Sequence, residues 1–141
     1  MRQLVDFDGA FTICIVQNTD TAGSEGEHWI CFYLPCPNTY YYYDSIGNPL
    51  EFYKVVLPIG TCVAESCART HGKSNLCGAY CLFVLFQLCM GVSFGKAIGQ
   101  FTLNAQHNDV MISKFLLQLT KGISSIIDNE HFFSSVQRAL L

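Results

Sequence analysis

The sequence predicts an α+β fold, because strand-like segments fill its first half and helix-like segments fill its second half. Half of the 141 residues are apolar and only 13% are charged. This composition supplies a sizeable buried core and excludes a disordered chain. No repeat, low-complexity linker or change of composition divides the sequence, so residues 1–141 are predicted to form a single domain.

Three segments in the first half have the composition of β-strands. They are residues 11–16 (FTICIV), 28–34 (HWICFYL) and 39–46 (TYYYYDSI), all rich in β-branched and aromatic side chains. Prolines at positions 35 and 37 are expected to stop the second strand. The link between the second and third segments is short, which predicts that these two strands are hairpin neighbours.

The middle of the chain leads into a buried helix. Residues 50–57 (LEFYKVVL) form either a short helix or a strand, with the helix favoured, and residues 59–74 are irregular, with room for one more strand. A long apolar run then predicts a core helix from Cys77 to Met90, closed by Gly91.

An amphipathic helix is predicted for residues 108–122, and residues 124–141 form either a further helix or a docked tail. Asn108 or Asp109 would cap the amphipathic helix. Its inward-facing residues would be Val110, Met111, Phe115, Leu116 and Leu119.

Charge and hydropathy give no support to a nucleic-acid partner, which stays open, and argue against a membrane or an exported protein. The net charge is −3 and the eight Lys and Arg residues are scattered, so no basic stripe indicates nucleic acid. Residues 76–92 lack charges, but their 17 residues fall short of the roughly 20 that a membrane-spanning helix needs. The N-terminal sequence MRQLVDFDGAF has no signal-peptide pattern. We therefore expect an intracellular protein without a membrane partner.

The eight cysteines are interpreted mostly as reduced packing residues. A zinc site is the alternative, and it would need Cys62, Cys67, His71 and Cys77 to come together. No C-x-x-C pair exists, and zinc modules favour such tight spacings. The sequence therefore predicts no metal.

Cys77 has the features of a cysteine nucleophile. It begins a helix, where free backbone N–H groups and the helix dipole favour a thiolate. Gly78 leaves space beside it for a substrate carbonyl. His28 opens one predicted strand and Asp44 ends the next, so both lie at strand–loop borders, where clefts form. A histidine held by a carboxylate is the base that such a thiol requires. Taken singly, each residue also suits packing or a turn.

The motifs GEHWICFY, YYYYDSIG and SNLCGAYC together resemble the adenain-type cysteine proteases of adenoviruses, related DNA viruses and Maverick/Polinton transposons. The resemblance extends from about residue 5 to about residue 120. It implies an adenain-like (papain-like) fold, in which a central helix bearing the nucleophile packs against an antiparallel sheet. It assigns His28 as base, Asp44 as third triad member and Cys77 as nucleophile. Trp29 and Gly78 would then line the substrate cleft.

One position departs from the family pattern. The family places a glutamine six or seven residues before the cysteine, where its amide completes the oxyanion hole, but this chain has Thr70 and His71. His71 would donate from a ring nitrogen, or the Cys77 backbone N–H would be the remaining donor. Loss of one oxyanion donor can reduce the rate about 10²- to 10³-fold.

The resemblance implies an endopeptidase that cleaves viral capsid or virion precursor proteins near glycine, in the host nucleus or in the virion. No cofactor is required, although adenoviral members are stimulated by a viral peptide and by DNA. Two alternatives stay open. One is a protease of SUMO- or ubiquitin-like modifiers, although this chain has Leu76 where those enzymes usually have Asp. The other is a catalytically impaired interaction or assembly domain.

Overall fold

A computed structural model describes residues 4–5, 11–19, 28–36, 38–55, 61–65, 69–70 and 74–127. Within these residues the strands are β1 (Leu4–Val5), β2 (Phe11–Asn18), β3 (Trp29–Cys36), β4 (Thr39–Tyr43) and β5 (Thr61–Glu65). The helices are α1 (Cys77–Cys89), α2 (Phe94–Ile98) and α3 (Ala105–Ile127), and a 3-10 turn spans Leu50–Tyr53. The α+β prediction is confirmed.

The strands lie side by side in the order in which they occur along the chain. Pairing is antiparallel from β1 to β4, and β5 pairs with β4 in parallel. The predicted hairpin between β3 and β4 is therefore confirmed. β3 runs through Pro35 to Cys36, beyond its predicted end, and its register shifts between Tyr33 and Cys36. Pro35 lies in this irregular stretch, where a missing N–H donor disrupts little.

The central strands β3 and β4 are covered on both faces. Cys31 and Tyr43 face the helices and join a cluster with Tyr80 and Val84 of α1. Ile30, Phe32 and Tyr42 point to the opposite face, where the 3-10 turn packs through Leu50 and Tyr53. This separation follows from the two-residue period of a strand, which alternates side chains between the two faces.

Helix α1 ends as predicted. Met90 is its C-cap, and Gly91 adopts the left-handed conformation with φ of 81°. The Gly91 N–H donates to the Leu88 carbonyl and the Val92 N–H to the Gln87 carbonyl, both at 3.0 Å. These two bonds form a Schellman motif, which satisfies carbonyl groups left free at the helix end.

The predicted start of the amphipathic helix is wrong. Helix α3 begins three residues earlier than expected, at Ala105, and Asn104 caps it by accepting a hydrogen bond from the His107 N–H at 3.0 Å. Asn108 and Asp109 therefore lie inside the first turns. Val110, predicted to face inward, is 50% exposed. The inward prediction is confirmed for Met111, Phe115 and Leu116, which pack against the core.

The remaining predictions have mixed outcomes. The helix expected over 50–57 is a single 3-10 turn, and the optional extra strand is β5. Helix α2 was not predicted. No break separates residues 108–122 from 124–127, because α3 continues to Ile127, whereas residues 128–141 lie outside the described part of the chain. No helix among the described residues is both long and apolar enough to cross a bilayer.

We predict that Gly91→Ala lowers the free energy of unfolding by about 1 kcal/mol, since a Cβ is strained at positive φ. Gly95→Ala is the matched control, because Gly95 lies in α2 with open space around the added methyl group. Alanine there should be neutral or stabilising by up to about 1 kcal/mol. Denaturant unfolding of both variants measures the difference, and equal losses would contradict the assignment of the cap.

Candidate functional site

His28 lies at the entrance to β3, where its backbone is held by the end of β2. Its carbonyl accepts hydrogen bonds from the Thr19 N–H at 2.9 Å and from Thr19 Oγ1 at 3.2 Å. The residue is only 8% exposed. The imidazole is therefore a buried polar group, which must have partners.

Asp44 supplies one of these partners. His28 Nε2 and Asp44 Oδ1 lie 2.6 Å apart, although 16 residues separate them in sequence. The register of the hairpin accounts for this contact. Cys31 pairs with Tyr43, so continuing the ladder by one residue places Asp44 level with Ile30. His28 is two residues from Ile30 and therefore faces the same side of the sheet.

The Asp44 carboxylate is fully buried but has four hydrogen-bond partners. Besides His28, Oδ1 accepts the Ile46 N–H at 2.9 Å. Oδ2 accepts the Asn48 N–H at 3.0 Å and the Tyr53 hydroxyl at 2.8 Å. Burial raises the pKa of Asp44, but the hydrogen bonds from His28, Ile46 and Tyr53 and the charge interaction with His28 outweigh burial, so that its pKa is lowered. Asp44 thus both forms the turn and orients the histidine.

Cys77 is the first residue of α1 and is 6% exposed. A hydrogen bond with the His28 ring lowers the pKa of its thiol. Burial opposes this effect, and the backbone N–H groups of Trp29 and Gly78 add to it. Because His28 Nε2 faces Asp44, Nδ1 is the ring nitrogen left for the thiol. The structure therefore brings together the three residues predicted as a triad.

The charge state of this set follows from opposing effects on His28. Burial lowers its pKa, whereas the hydrogen bonds to Asp44 and Cys77 together raise it to about 9. Since the pKa of Cys77 is lowered while that of His28 is raised, the environment favours a thiolate–imidazolium pair over the neutral pair. Such a pair is the reactive form of a cysteine nucleophile.

The other predicted site residues have different outcomes. Trp29 is 39% exposed, and a Cβ placed on Gly78 would lie 3.7 Å from two of its indole carbons. The two cleft candidates therefore lie against each other beside Cys77. As the first two residues of α1, Cys77 and Gly78 carry backbone N–H groups without helical partners, as an oxyanion hole needs. His71, the other oxyanion candidate, lies outside the described residues.

Tyr53 is a residue of the site that sequence reasoning missed. Its hydroxyl donates to Asp44 Oδ2 and accepts from Asn48 Nδ2 at 2.9 Å. Its ring is stacked near His28, with centroids 6.0 Å apart and planes inclined by 26°. The only feature of the sequence that could have indicated Tyr53 was its position just after the DSIGNP turn, against which its segment packs.

The segment before Cys77 is also anchored to the site. The Ser45 carbonyl accepts the N–H groups of Arg69 at 2.8 Å and Thr70 at 3.2 Å. On the other side, fully buried Asn108 donates from Nδ2 to the Arg69 carbonyl at 2.8 Å. Residues 69–70 are thus held between the Asp44 turn and α3.

Asp109 completes this anchor. Its Oδ1 accepts the Thr70 hydroxyl at 2.8 Å and the Tyr80 hydroxyl at 2.7 Å. Thr70, which stands where the family glutamine was expected, therefore points its hydroxyl to Asp109 of α3. Asp109 links α3 to both the loop before Cys77 and the helix that begins with Cys77.

No group of three or more His, Cys, Asp or Glu side chains with metal-binding geometry occurs among the described residues. Cys67 and His71, two of the candidate zinc ligands, lie outside them. Comparison of the chain with protein-family models, with curated proteins and with solved structures found no match. Functional assignment therefore depends on the geometry of the Cys77–His28–Asp44 set.

We predict that Tyr53→Phe lowers the free energy of unfolding by about 1–3 kcal/mol at neutral pH, because it removes a hydrogen bond to a buried carboxylate. The hydrogen bond helps to lower the pKa of Asp44, so its contribution is present above the unfolded pKa of Asp44. The difference from wild type should therefore shrink in acid, as Asp44 becomes protonated.

Phe52→Leu is the control, since Phe52 lies in the same turn but is 66% exposed. Chemical denaturation of the three proteins between about pH 3 and 7 makes the comparison. A loss in Tyr53→Phe that is independent of pH would contradict the role assigned to the hydroxyl.

Proposed function

We propose that this protein is a cysteine endopeptidase of the adenain type. The observation that carries the proposal is the buried hydrogen-bonded set of Cys77, His28 and Asp44, with the cysteine at a helix N-terminus. A packing cysteine needs neither a lowered thiol pKa nor a histidine held by a carboxylate. Catalysis by a thiol requires both of these features.

The adenain-like fold is part of the same proposal. It is supported by the packing of α1 against the antiparallel strands. Cys81 Sγ lies 3.4 Å from the Trp29 carbonyl, and Cys31 Sγ lies 3.8 Å from the Cys81 carbonyl. These contacts connect the helix that begins with Cys77 to the strand that follows His28.

In the proposed reaction, the Cys77 thiolate attacks the carbonyl carbon of the scissile peptide bond. The developing oxyanion would be stabilised by the N–H of Cys77, with His71 as the second candidate donor. The His28 imidazolium then gives its proton to the departing amine. Neutral His28 removes a proton from water, which hydrolyses the thioester and releases the carboxylic acid product. Asp44 holds the ring in one tautomer throughout.

The proposed substrates are viral or virus-like precursor proteins cleaved beside glycine, as the resemblance implies. Gly78 and Trp29 would contact the substrate, since both lie next to Cys77 and Trp29 is partly exposed. A viral peptide and DNA are the candidate activators. The proposal places the protein in the host nucleus or the virion.

The reactivity of Cys77 provides the first test. Limiting iodoacetamide at a series of pH values, with labelled sites located by mass spectrometry, should modify Cys77 first, with a midpoint below that of an ordinary thiol. His28→Ala should abolish this preference, because it removes the first cause of the lowered pKa. Cys36→Ser, at an exposed site on β3, should leave the profile unchanged. Labelling of Cys77 no faster than Cys36 would contradict a thiolate.

Cleavage provides the second test. A library of glycine-containing peptides should be cut, and Cys77→Ser should reduce the rate at least about a thousandfold. Activity should rise as Cys77 loses its proton and fall as pH exceeds about 9, where His28 loses the proton needed by the leaving amine. Parallel assays include modifier–peptide fusions, DNA and candidate viral peptides. Reactive Cys77 without cleavage of any substrate would favour an interaction domain.

A further inference from the structure

We propose that Cys14 and Cys89 form a second thiol site, which closes to a reversible disulfide when a disulfide oxidant such as oxidised glutathione is present. Cys14 lies on β2, and Cys89 is the last residue of α1, 75 residues later in the chain. Their sulfur atoms are 3.6 Å apart. A disulfide bond is about 2.05 Å long, so the two sulfurs must approach by only about 1.5 Å, within reach of side-chain rotation.

The exposure of the two thiols differs, and this difference makes the site accessible. Cys89 is exposed, whereas Cys14 is half-buried. Both line an apolar groove of about 360 Å³, where Phe86 of α1 is also exposed. An oxidant can therefore reach Cys89 from solvent while Cys14 lies directly behind it.

A second pair of neighbouring cysteines shows the contrast. Cys31 and Cys81 are in hydrogen-bond contact, but both are buried almost completely. Their contact raises the pKa of Cys81 well above its usual range, and burial adds to this effect. Neither sulfur can be attacked by a solvent oxidant unless the core opens. Proximity alone therefore does not distinguish the two pairs, but access to solvent does.

The order of the chemical steps follows from the environment of Cys14. Burial, together with its hydrogen bond and charge interaction with Cys89, raises the pKa of Cys14 to about 12. Cys14 therefore stays protonated while Cys89 is a free thiol. Conversion of Cys89 to a mixed disulfide removes its charge interaction with Cys14, while burial, the largest cause of the raised pKa of Cys14, stays in place. Cys14 then ionises more readily and acts as the resolving thiol.

Oxidation of the pair takes two thiol–disulfide exchange steps. The Cys89 thiolate attacks one sulfur of oxidised glutathione, and one glutathione thiolate leaves. Cys14 loses its proton to water and attacks Cys89 Sγ, and the second glutathione thiolate leaves. Two protein thiols become one disulfide, and one glutathione disulfide becomes two glutathione thiols. Excess reduced glutathione reverses both steps.

The disulfide would join β2 to the end of α1 that is opposite Cys77. It closes a long loop in the unfolded chain, which is the condition under which a cross-link stabilises most. The thermal midpoint should therefore rise by at least about 5 °C on oxidation. This site acts independently of whether Cys77 is catalytic.

The test treats the full chain with an excess of oxidised glutathione, traps free thiols with excess N-ethylmaleimide at mildly acidic pH, and maps cross-linked peptides by mass spectrometry. We expect a peptide pair linking Cys14 to Cys89 with the loss of two hydrogens, and its disappearance after reduction. Cys89→Ser should give neither the link nor the rise in thermal midpoint. Cys14→Ser should stop at a glutathione adduct on Cys89.

Cys36→Ser is the matched control, because it removes an exposed cysteine elsewhere on the sheet and should leave the cross-link intact. Wild-type protein in which Cys89 remains a glutathione adduct with Cys14 free would overturn the proposal. A cross-link of Cys89 to any other cysteine would also overturn it. A Cys14–Cys89 link without a rise in thermal midpoint would overturn the stabilising effect.

Discussion

The buried hydrogen bond between His28 and Asp44 is the interaction on which the rest of the site depends. Removing a carboxylate from water is costly unless its oxygen atoms are fully satisfied. The Asn48 N–H and the Tyr53 hydroxyl satisfy Oδ2, and the Ile46 N–H donates to Oδ1, the oxygen that also contacts His28. Asp44 can therefore stay ionised in the interior, where its carboxylate acts together with Cys77 to raise the pKa of His28.

Each element around this hydrogen bond positions a different part of the site. The β3–β4 ladder sets the distance between His28 and Asp44 through its register. Helix α1 packs on the opposite face of the sheet, so Cys77 reaches the histidine only because it is the first residue of that helix. Through Asn108 and Asp109, α3 holds the segment that precedes the cysteine. Sheet, core helix and amphipathic helix thus converge on one end of the sheet.

Much of this arrangement could be predicted from the sequence because it rests on local patterns. Aromatic and β-branched runs indicated β2, β3 and β4, and the apolar run before Gly91 indicated α1 with nearly correct limits. His28, Asp44 and Cys77 were found through motifs whose residues lie at the ends of these elements. The sequence did not show that these three residues lie together, because their proximity depends on the register of the β3–β4 hairpin.

The missed features depend on contacts between distant segments. Asn108 and Asp109 are residue types that commonly cap helices, but their side chains form hydrogen bonds with residues 69–70. Asn104 caps α3 instead. Tyr53 carries no local signal, since only the folded turn brings its hydroxyl to Asp44. The parallel pairing of β5 with β4 likewise depends on a connection between strands and not on the composition of β5.

The sequence positions of the Asp44 partners have a consequence for the order of folding. Ile46, Asn48 and Tyr53 all lie within nine residues of Asp44. Only a short loop must therefore close for these three residues to form their hydrogen bonds to the carboxylate. Closing such a loop costs little conformational entropy, whereas bringing Cys77 to His28 requires contacts across about fifty residues. Asp44 can therefore gain its hydrogen-bond partners within the protein before Cys77 comes into contact with His28. The docking of α1, which carries Cys77, is then the expected late step, and it would occur after the Asp44 carboxylate has its hydrogen-bond partners.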